Sequence, residues 1–326
     1  MRQFLPPLFL LPLVALGSCT ANTPTPPPSQ SSTVTPSGSA IANRQVRVIA
    51  TFLPVYLFTK AVAGNAAQVD VLIPPGTEVH EYQSRPADVK AIAEADIVVK
   101  NGLGIEEFLD STIKGAENPR LKVIDASKGI QPLQEISPVV SSGKSEGDHS
   151  HDHDHDHGAG NPHVWLDPML AKQQVENIRD GLIAADPANQ ATYRANAAAY
   201  IQQLEDLNQQ FEQQLKGFSD RTFVTFHDAF PYLARRYQLK QVAVVTIPDE
   251  QLSPTDVQNA IAAVKQYRVK ALLSEPGVDN KLLASLSQDL KLTLRPLDSL
   301  ESGERDPQYY FLAMRNNLKT LEAAFK

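Results

Sequence analysis

Eight short apolar runs rich in β-branched residues stand four on each side of one long helical stretch, an arrangement that leaves this chain few folds. The first four are VRVIATF (46–52), VDVLI (69–73), DIVVK (96–100) and LKVID (121–125); the second four are TFVTF (222–226), VAVVTI (242–247), VKALLSE (269–275) and LTLRPL (292–297). Each is brief, mostly apolar and bounded by helical sequence or loop, as strands buried in a parallel sheet are. The expected class is α/β: two α/β lobes with mostly parallel sheets, at 46–166 and 218–326, joined by linking helices at 167–217 that include one long backbone helix. A chain of 326 residues, 42% hydrophobic, has the material for two medium cores.

The middle is punctuated clearly. Asp167-Pro168 and Asp186-Pro187 each set a capping carboxylate before a proline at the first helical position, and Gly217 stands where the second helix would end. Between them Tyr193, Ala197, Tyr200, Ile201, Leu204, Leu207, Phe211 and Leu215 recur mostly three or four residues apart. At about 1.5 Å per residue such a helix runs roughly 46 Å, long enough to serve both lobes as a spine.

The N-terminus addresses the chain outside the cytoplasm. Arg2, an apolar stretch and Leu16-Gly17-Ser18-Cys19 read as a signal peptide over 1–18, with an apolar core too short to span a membrane once mature. The pattern resembles a lipobox, in which Cys19, the only cysteine, becomes a lipidated first residue; an ordinary signal peptide with a stray cysteine is the other reading. Residues 19–45, dominated by Pro, Ser and Thr, bury too little to offset their ordering entropy and read as a disordered tether of roughly 70 Å, at about 3 Å per residue.

Five of the eight histidines, His149, His151, His153, His155 and His157, alternate with Ser and Asp inside a run at 148–157. In an extended chain they line one edge, a flexible array with low-affinity, exchangeable affinity for borderline metals; a solvated loop is the bland alternative. The other three stand apart: His80 after the second run, His163 before the helix capped by Asp167, and His227 directly after TFVTF. In open α/β sheets ligands bind beyond the carboxyl ends of strands, where these loops and the one carrying Asp279 emerge. Singly, a histidine after a strand is more commonly a surface group, and Asp279 serves equally well as the cap of the helix that follows. Jointly they point to one metal site between the lobes, with two ligands from each. The net charge of −7 suits a cation and speaks against nucleic acid.

PGTEVHEYQSRPADV (75–89), NPHVWLDP (161–168), TFHDAFPYLARRY (225–237) and SEPGVD (274–279) resemble, in order, the metal-binding motifs of the substrate-binding proteins of ABC-type zinc and manganese importers, the ZnuA and TroA group. The resemblance covers residues 46–326 and implies two lobes on a backbone helix, with metal ligands His80, His163, His227 and Asp279; zinc members often have a water or a glutamate in place of this Asp. Manganese members carry a carboxylate at the third position where this chain has His227, and three imidazoles with one carboxylate suit tetrahedral Zn²⁺ better than Mn²⁺. The implied protein is a periplasmic, membrane-anchored lipoprotein, monomeric, that captures Zn²⁺ and delivers it to an ABC permease; a manganese or iron member of the same group is the alternative. Two departures stand out: no disulfide can form, and Val79 replaces the glutamate that some zinc members place before the first histidine, leaving Glu78 and Glu81 one step further out.

Two readings from other classes compete. A zinc hydrolase needs three protein ligands, an open position and a general base, and His80-Glu81-Tyr82-Gln83-Ser84 lacks the second histidine of HExxH. No enzymatic activity is expected. A passive zinc buffer shares every ligand and differs only in lacking a permease. Trp165, Tyr82 and Phe230 lie beside the candidate ligands and are expected to pack beneath them.

Overall fold

The computed structural model describes residues 44–133, 160–219, 221–245, 254–276 and 281–326, and Arg44–Lys326 forms one compact unit. Cys19, the signal segment, most of the expected tether, His149 to His157 and Asp279 lie outside the described residues. The last two residues of the expected tether belong to the fold: Arg44 pairs with Asp96 and the Gln45 amide donates to the Asn65 carbonyl.

The first lobe runs β1 (Val46–Ala50), α1 (Leu53–Ala63), β2 (Ala67–Val71), α2 (Pro86–Glu94), β3 (Ile97–Lys100), α3 (Leu109–Ala116) and β4 (Lys122–Asp125). The middle supplies α4 (Pro168–Ala185) and α5 (Gln190–Leu215), and the second lobe runs β5 (Thr222–His227), α6 (Pro231–Arg236), β6 (Lys240–Val245), α7 (Pro254–Gln266), β7 (Ala271–Ser274), α8 (Lys281–Leu290), β8 (Thr293–Pro296) and α9 (Tyr309–Phe325). All eight expected runs contain a strand. Each sheet is four-stranded and parallel, in the orders β2-β1-β3-β4 and β6-β5-β7-β8. The chain leaves β1 in one direction and returns on its other side at β3, and does the same at β5 and β7. Each lobe therefore has its own switch point, and the crevice there opens at the carboxyl ends of the strands.

The period of two along each strand divides its side chains between two cores. Val48 and Ala50 of β1 and Phe223 of β5 join one continuous cluster with the buried face of α5, whose members are Tyr193, Ala197, Tyr200, Leu204, Leu207, Phe211 and Leu215. Ile49 faces α2 and α3 on the far side of the first sheet, and Val224 faces α7 and α8 on the far side of the second. The spine reading of the long helix holds, with one addition: α9 returns from the second lobe to lay Tyr310 edge-on against Phe58 of α1, at 5.1 Å between ring centres. No helix among the described residues is long and apolar enough to cross a membrane.

Capping divides the two Asp-Pro pairs. Asp167 accepts from the backbone N–H of Met169 and Leu170, as its position predicts, a contact worth about 1 kcal/mol. Asp186 does not cap backbone. Its carboxylate turns to the Tyr193 hydroxyl, 2.6 Å away, and to the Asn189 amide, because a short 3₁₀ turn at Pro187–Asn189 intervenes before α5 begins.

Candidate metal centre

Four side chains meet where the strand ends of both lobes converge: His80, His163, His227 and Glu301, one donor atom from each lying within 4.8 Å of all the others. His80 comes from the loop after β2, His163 from the segment leading into α4, His227 is the last residue of β5, and Glu301 lies in the loop between β8 and α9. Two come from each lobe, as expected, and the carboxylate that the described residues supply is Glu301. The sequence reading placed Asp279 fourth; Asp279 lies outside the described residues, and the group that the fold carries to the three imidazoles is Glu301.

The imidazole spacing is that of a coordination shell. His163 Nε2 lies 3.2 Å from His80 Nε2 and 3.4 Å from His227 Nε2. A tetrahedron with donors 2.0–2.1 Å from its centre has edges of about 3.3 Å. Glu301 Oε1 is 3.8 Å from His163 Nε2, is buried, and has no hydrogen-bond partner. A buried carboxylate oxygen left in that state beside three ring nitrogens is a position for a cation.

Two of the rings, those of His163 and His227, are held from behind. The His163 backbone N–H donates to Asn161 Oδ1 at 3.0 Å, and the ring Nδ1 faces the same oxygen at 3.0 Å. The Glu275 carboxylate, just beyond β7, accepts from the His227 backbone N–H at 3.1 Å and lies 2.5 Å from the ring Nδ1. The His80 backbone N–H donates to Glu78, so that loop carboxylate folds back toward the site, whereas Glu81 is exposed. Val79 is buried in the main core, which removes its position from any ligating role.

The Glu301 loop is tied to the first lobe. The Gly76 N–H donates to the Glu301 carbonyl, and the Trp165 indole donates to the Ser299 carbonyl at 2.8 Å. Within the loop, Leu300 takes a left-handed backbone (φ 65°), held by its N–H donating to Asp298, whose other oxygen accepts from Tyr309. Gly303 is needed as glycine, because at its φ of 138° a Cβ would lie 2.2 Å from the Tyr309 ring.

Trp165 is fully buried, with its ring centre 5.1 Å from that of His163 and 5.1 Å from that of Phe52, so it does pack under the site. Phe230 is buried in the same core. Tyr82 packs against the edge of the same core, meeting Phe108 edge-on at 4.9 Å and donating to Asp88.

Charge within the cluster is uneven. Burial, reinforced by the two neighbouring imidazoles, holds the His163 ring well below the ordinary histidine range. At His227 burial pulls the same way and is the largest single effect, but the carboxylates of Glu275, Glu301 and Glu78 together outweigh it and raise the ring to about 9. Burial raises the Glu301 carboxyl; His227 opposes this, and Glu78, Glu275 and Asp298 add to it.

A two-lobed α/β frame with one buried cluster of nitrogen and oxygen donors between the strand ends defines a solute-binding protein built around a single metal ion. The model of the ZnuA family, described as zinc-uptake complex component A, periplasmic, matches residues 48–324, and the chain belongs to that family. It is 34% identical over 286 residues to the zinc-binding lipoprotein AdcA of Streptococcus pneumoniae, covering 86% of this chain but only 56% of that protein's length. It is 33% identical to the high-affinity zinc uptake system protein ZnuA of Bacillus subtilis, over 85% of this chain and 87% of the relative. The crystal structure of the Zn(II)-bound ZnuA-like domain of the pneumococcal AdcA superposes with a TM-score of 0.71 at 32% identity, covering 86% of this chain and 99% of that domain.

Proposed function

We propose that this protein captures Zn²⁺ outside the cytoplasm and hands it to an ABC importer, and that His80, His163, His227 and Glu301 are the ligands. The observation that carries the reading is the pair of 3.2 and 3.4 Å imidazole spacings beside the buried Glu301 oxygen that lacks a hydrogen-bond partner. Three nitrogens and one oxygen within 4.8 Å of one another, with two nitrogen pairs at 3.2 and 3.4 Å, suit Zn²⁺, whereas Mn²⁺ favours more oxygen ligands and a larger shell. Four protein ligands close the shell, so no position remains for an activated water, and the role is capture rather than catalysis. Names borne by the relatives, zinc-binding lipoprotein and zinc uptake protein, support the same cargo.

In this reading Cys19 carries the lipid, residues 19–43 tether the compact unit near the membrane, and an ABC permease receives the ion from a monomer. The histidines from 149 to 157 add low-affinity sites. Titration of the unit from Arg44 onward with Zn²⁺ and with Mn²⁺ tests the cargo: one tight zinc site that manganese does not displace is expected, and tight manganese binding would overturn it. Ligand identity has its own test. Glu301→Ala loses tight zinc binding and Asp279→Ala keeps it; the reverse result would return the fourth position to Asp279.

A further inference from the structure

We propose that Asn161 is a positioning residue that sets the ring of His163 and keeps it in register with His227 of the other lobe. The inference rests on the zinc reading above.

Asn161 is buried, and every polar group it has is used. Its side-chain oxygen faces the backbone N–H and the ring Nδ1 of His163, both at 3.0 Å. Its amide nitrogen donates to the Asp228 carbonyl at 2.8 Å and to the Asp228 carboxylate at 3.2 Å. Only one orientation of the amide satisfies this set, since a backbone N–H on one side requires the oxygen and two acceptors on the other require the nitrogen. An amide oxygen cannot donate, so His163 Nδ1 carries the proton and Nε2 presents its lone pair. That Nε2 is the atom 3.2 Å from His80 Nε2 and 3.4 Å from His227 Nε2.

The other end of the same amide reaches across the lobes. Asp228 directly follows His227 at the end of β5, so one side chain links two imidazole-bearing segments that the sequence separates by 64 residues. Asn161 is itself anchored: its backbone N–H donates to the Leu133 carbonyl at 3.0 Å, and its carbonyl accepts from the Tyr232 hydroxyl at 2.6 Å. The preceding segment is buttressed too, since the Asn101 amide donates to the Pro162 carbonyl while Gln174 donates to Asn101. Groups that orient metal-bound imidazoles in this way typically carry a factor of about 10–100 in affinity.

Two substitutions in the otherwise intact protein test this, with zinc affinity measured by chelator competition and read from the fluorescence of Trp165, the only tryptophan. Asn161→Leu removes oxygen and donors together and is expected to weaken zinc roughly 10–100-fold. The same substitution made on top of His163→Ala is expected to cost little further, because the ring it orients is gone. Asn161→Asp keeps an oxygen facing His163 Nδ1 and adds a negative charge there, which makes the ring more basic; zinc affinity should then fall more steeply between pH 8 and 6 than in the wild type. This second arm needs no folded Asn161→Leu protein. The inference is overturned if Asn161→Leu binds zinc as tightly as the wild type, if its cost is the same with and without His163, or if Asn161→Asp leaves the pH profile unchanged. A wild type that binds no zinc, or a His163→Ala variant that binds it undiminished, would instead bring down the zinc reading itself.

Discussion

His163 and His227 are buried almost alike, 2% and 0% exposed, with their Nε2 atoms 3.4 Å apart, yet their proton affinities move in opposite directions. His163, backed by the neutral Asn161 amide, is held well below the ordinary range; His227, backed by the Glu275 carboxylate, is raised to about 9. Burial acts against the charged form in both rings, so the charged and titratable neighbours decide the sign: two imidazoles at His163, and the Glu275, Glu301 and Glu78 carboxylates at His227. At neutral pH the metal-free site therefore contains one imidazole ready to ligate and one that must first surrender a proton. On the function proposed above, zinc capture is coupled to proton release through the second lobe, from His227 and from Glu301, whose carboxyl is raised to about 8.

The largest effect that bears on this contrast is removal of a ring. His227→Ala is expected to weaken zinc by at least about a hundredfold, beyond the range of a merely supporting group, as measured by chelator competition. Retention of tight binding would mean that His80, His163 and Glu301 suffice alone. Next comes the backing carboxylate: Glu275→Gln keeps an acceptor for His227 Nδ1–H but removes the charge. Calorimetry at pH 7 in buffers of different ionisation enthalpy should show that the wild type releases at least about one proton per zinc and the variant clearly fewer, since His227 then titrates nearer its ordinary value.

The stability of the metal-free protein carries the same contrast with less amplitude. A histidine whose folded pKa is raised stabilises the fold below its unfolded value, near 6.5, and loses that contribution as pH rises through about 9. The melting-temperature advantage of wild type over Glu275→Gln should therefore be largest at pH 6.5 and below and should shrink toward pH 9; an advantage constant with pH would remove Glu275 as the cause. The depressed His163 contributes with the opposite sign, its share being lost as pH falls below the ordinary histidine range. Smallest of all is deletion of residues 148–157. The chain before and after that segment is pinned where Asn161 N–H meets the Leu133 carbonyl and the Tyr232 hydroxyl accepts from Leu133 N–H, so the tight zinc site and the melting temperature should persist while low-affinity stoichiometry falls. Loss of the tight site on deletion would place it in the histidine run.

Periodicity and punctuation made most of the frame legible. The β-branched runs located all eight strands, the three-and-four spacing from Tyr193 to Leu215 located the spine, and Asp167-Pro168 located the start of α4. These are local signals, carried by residues that interact with their own neighbours in sequence. His80, His163 and His227 were legible only as a set: singly each reads as a surface group, but the three histidines outside the run all fall at loops of the kind that line the crevice. Glu301 was not. It belongs to no motif, and in LDSLESG it reads as an ordinary solvated loop. Its one signal was its position a few residues past β8, at the same end of the sheet as the histidine-bearing loops.

The sequence by itself determined the class of fold, the number of lobes and three of the four side chains that cluster between them, because strand pattern, helix period and rare residue types are written locally. Tertiary structure decided the rest. It brought Glu301 to the three histidines by turning a loop through a left-handed Leu300 and tying it to Gly76 and Trp165 of the other lobe. It also gave two equally buried imidazoles opposite proton affinities, by setting His163 beside two other imidazoles and His227 against the Glu275, Glu301 and Glu78 carboxylates. Both outcomes depend on which groups lie within about 3 Å of a ring or a carboxylate. Partners far apart in sequence reach that distance only when the two lobes are assembled on the shared core around α5.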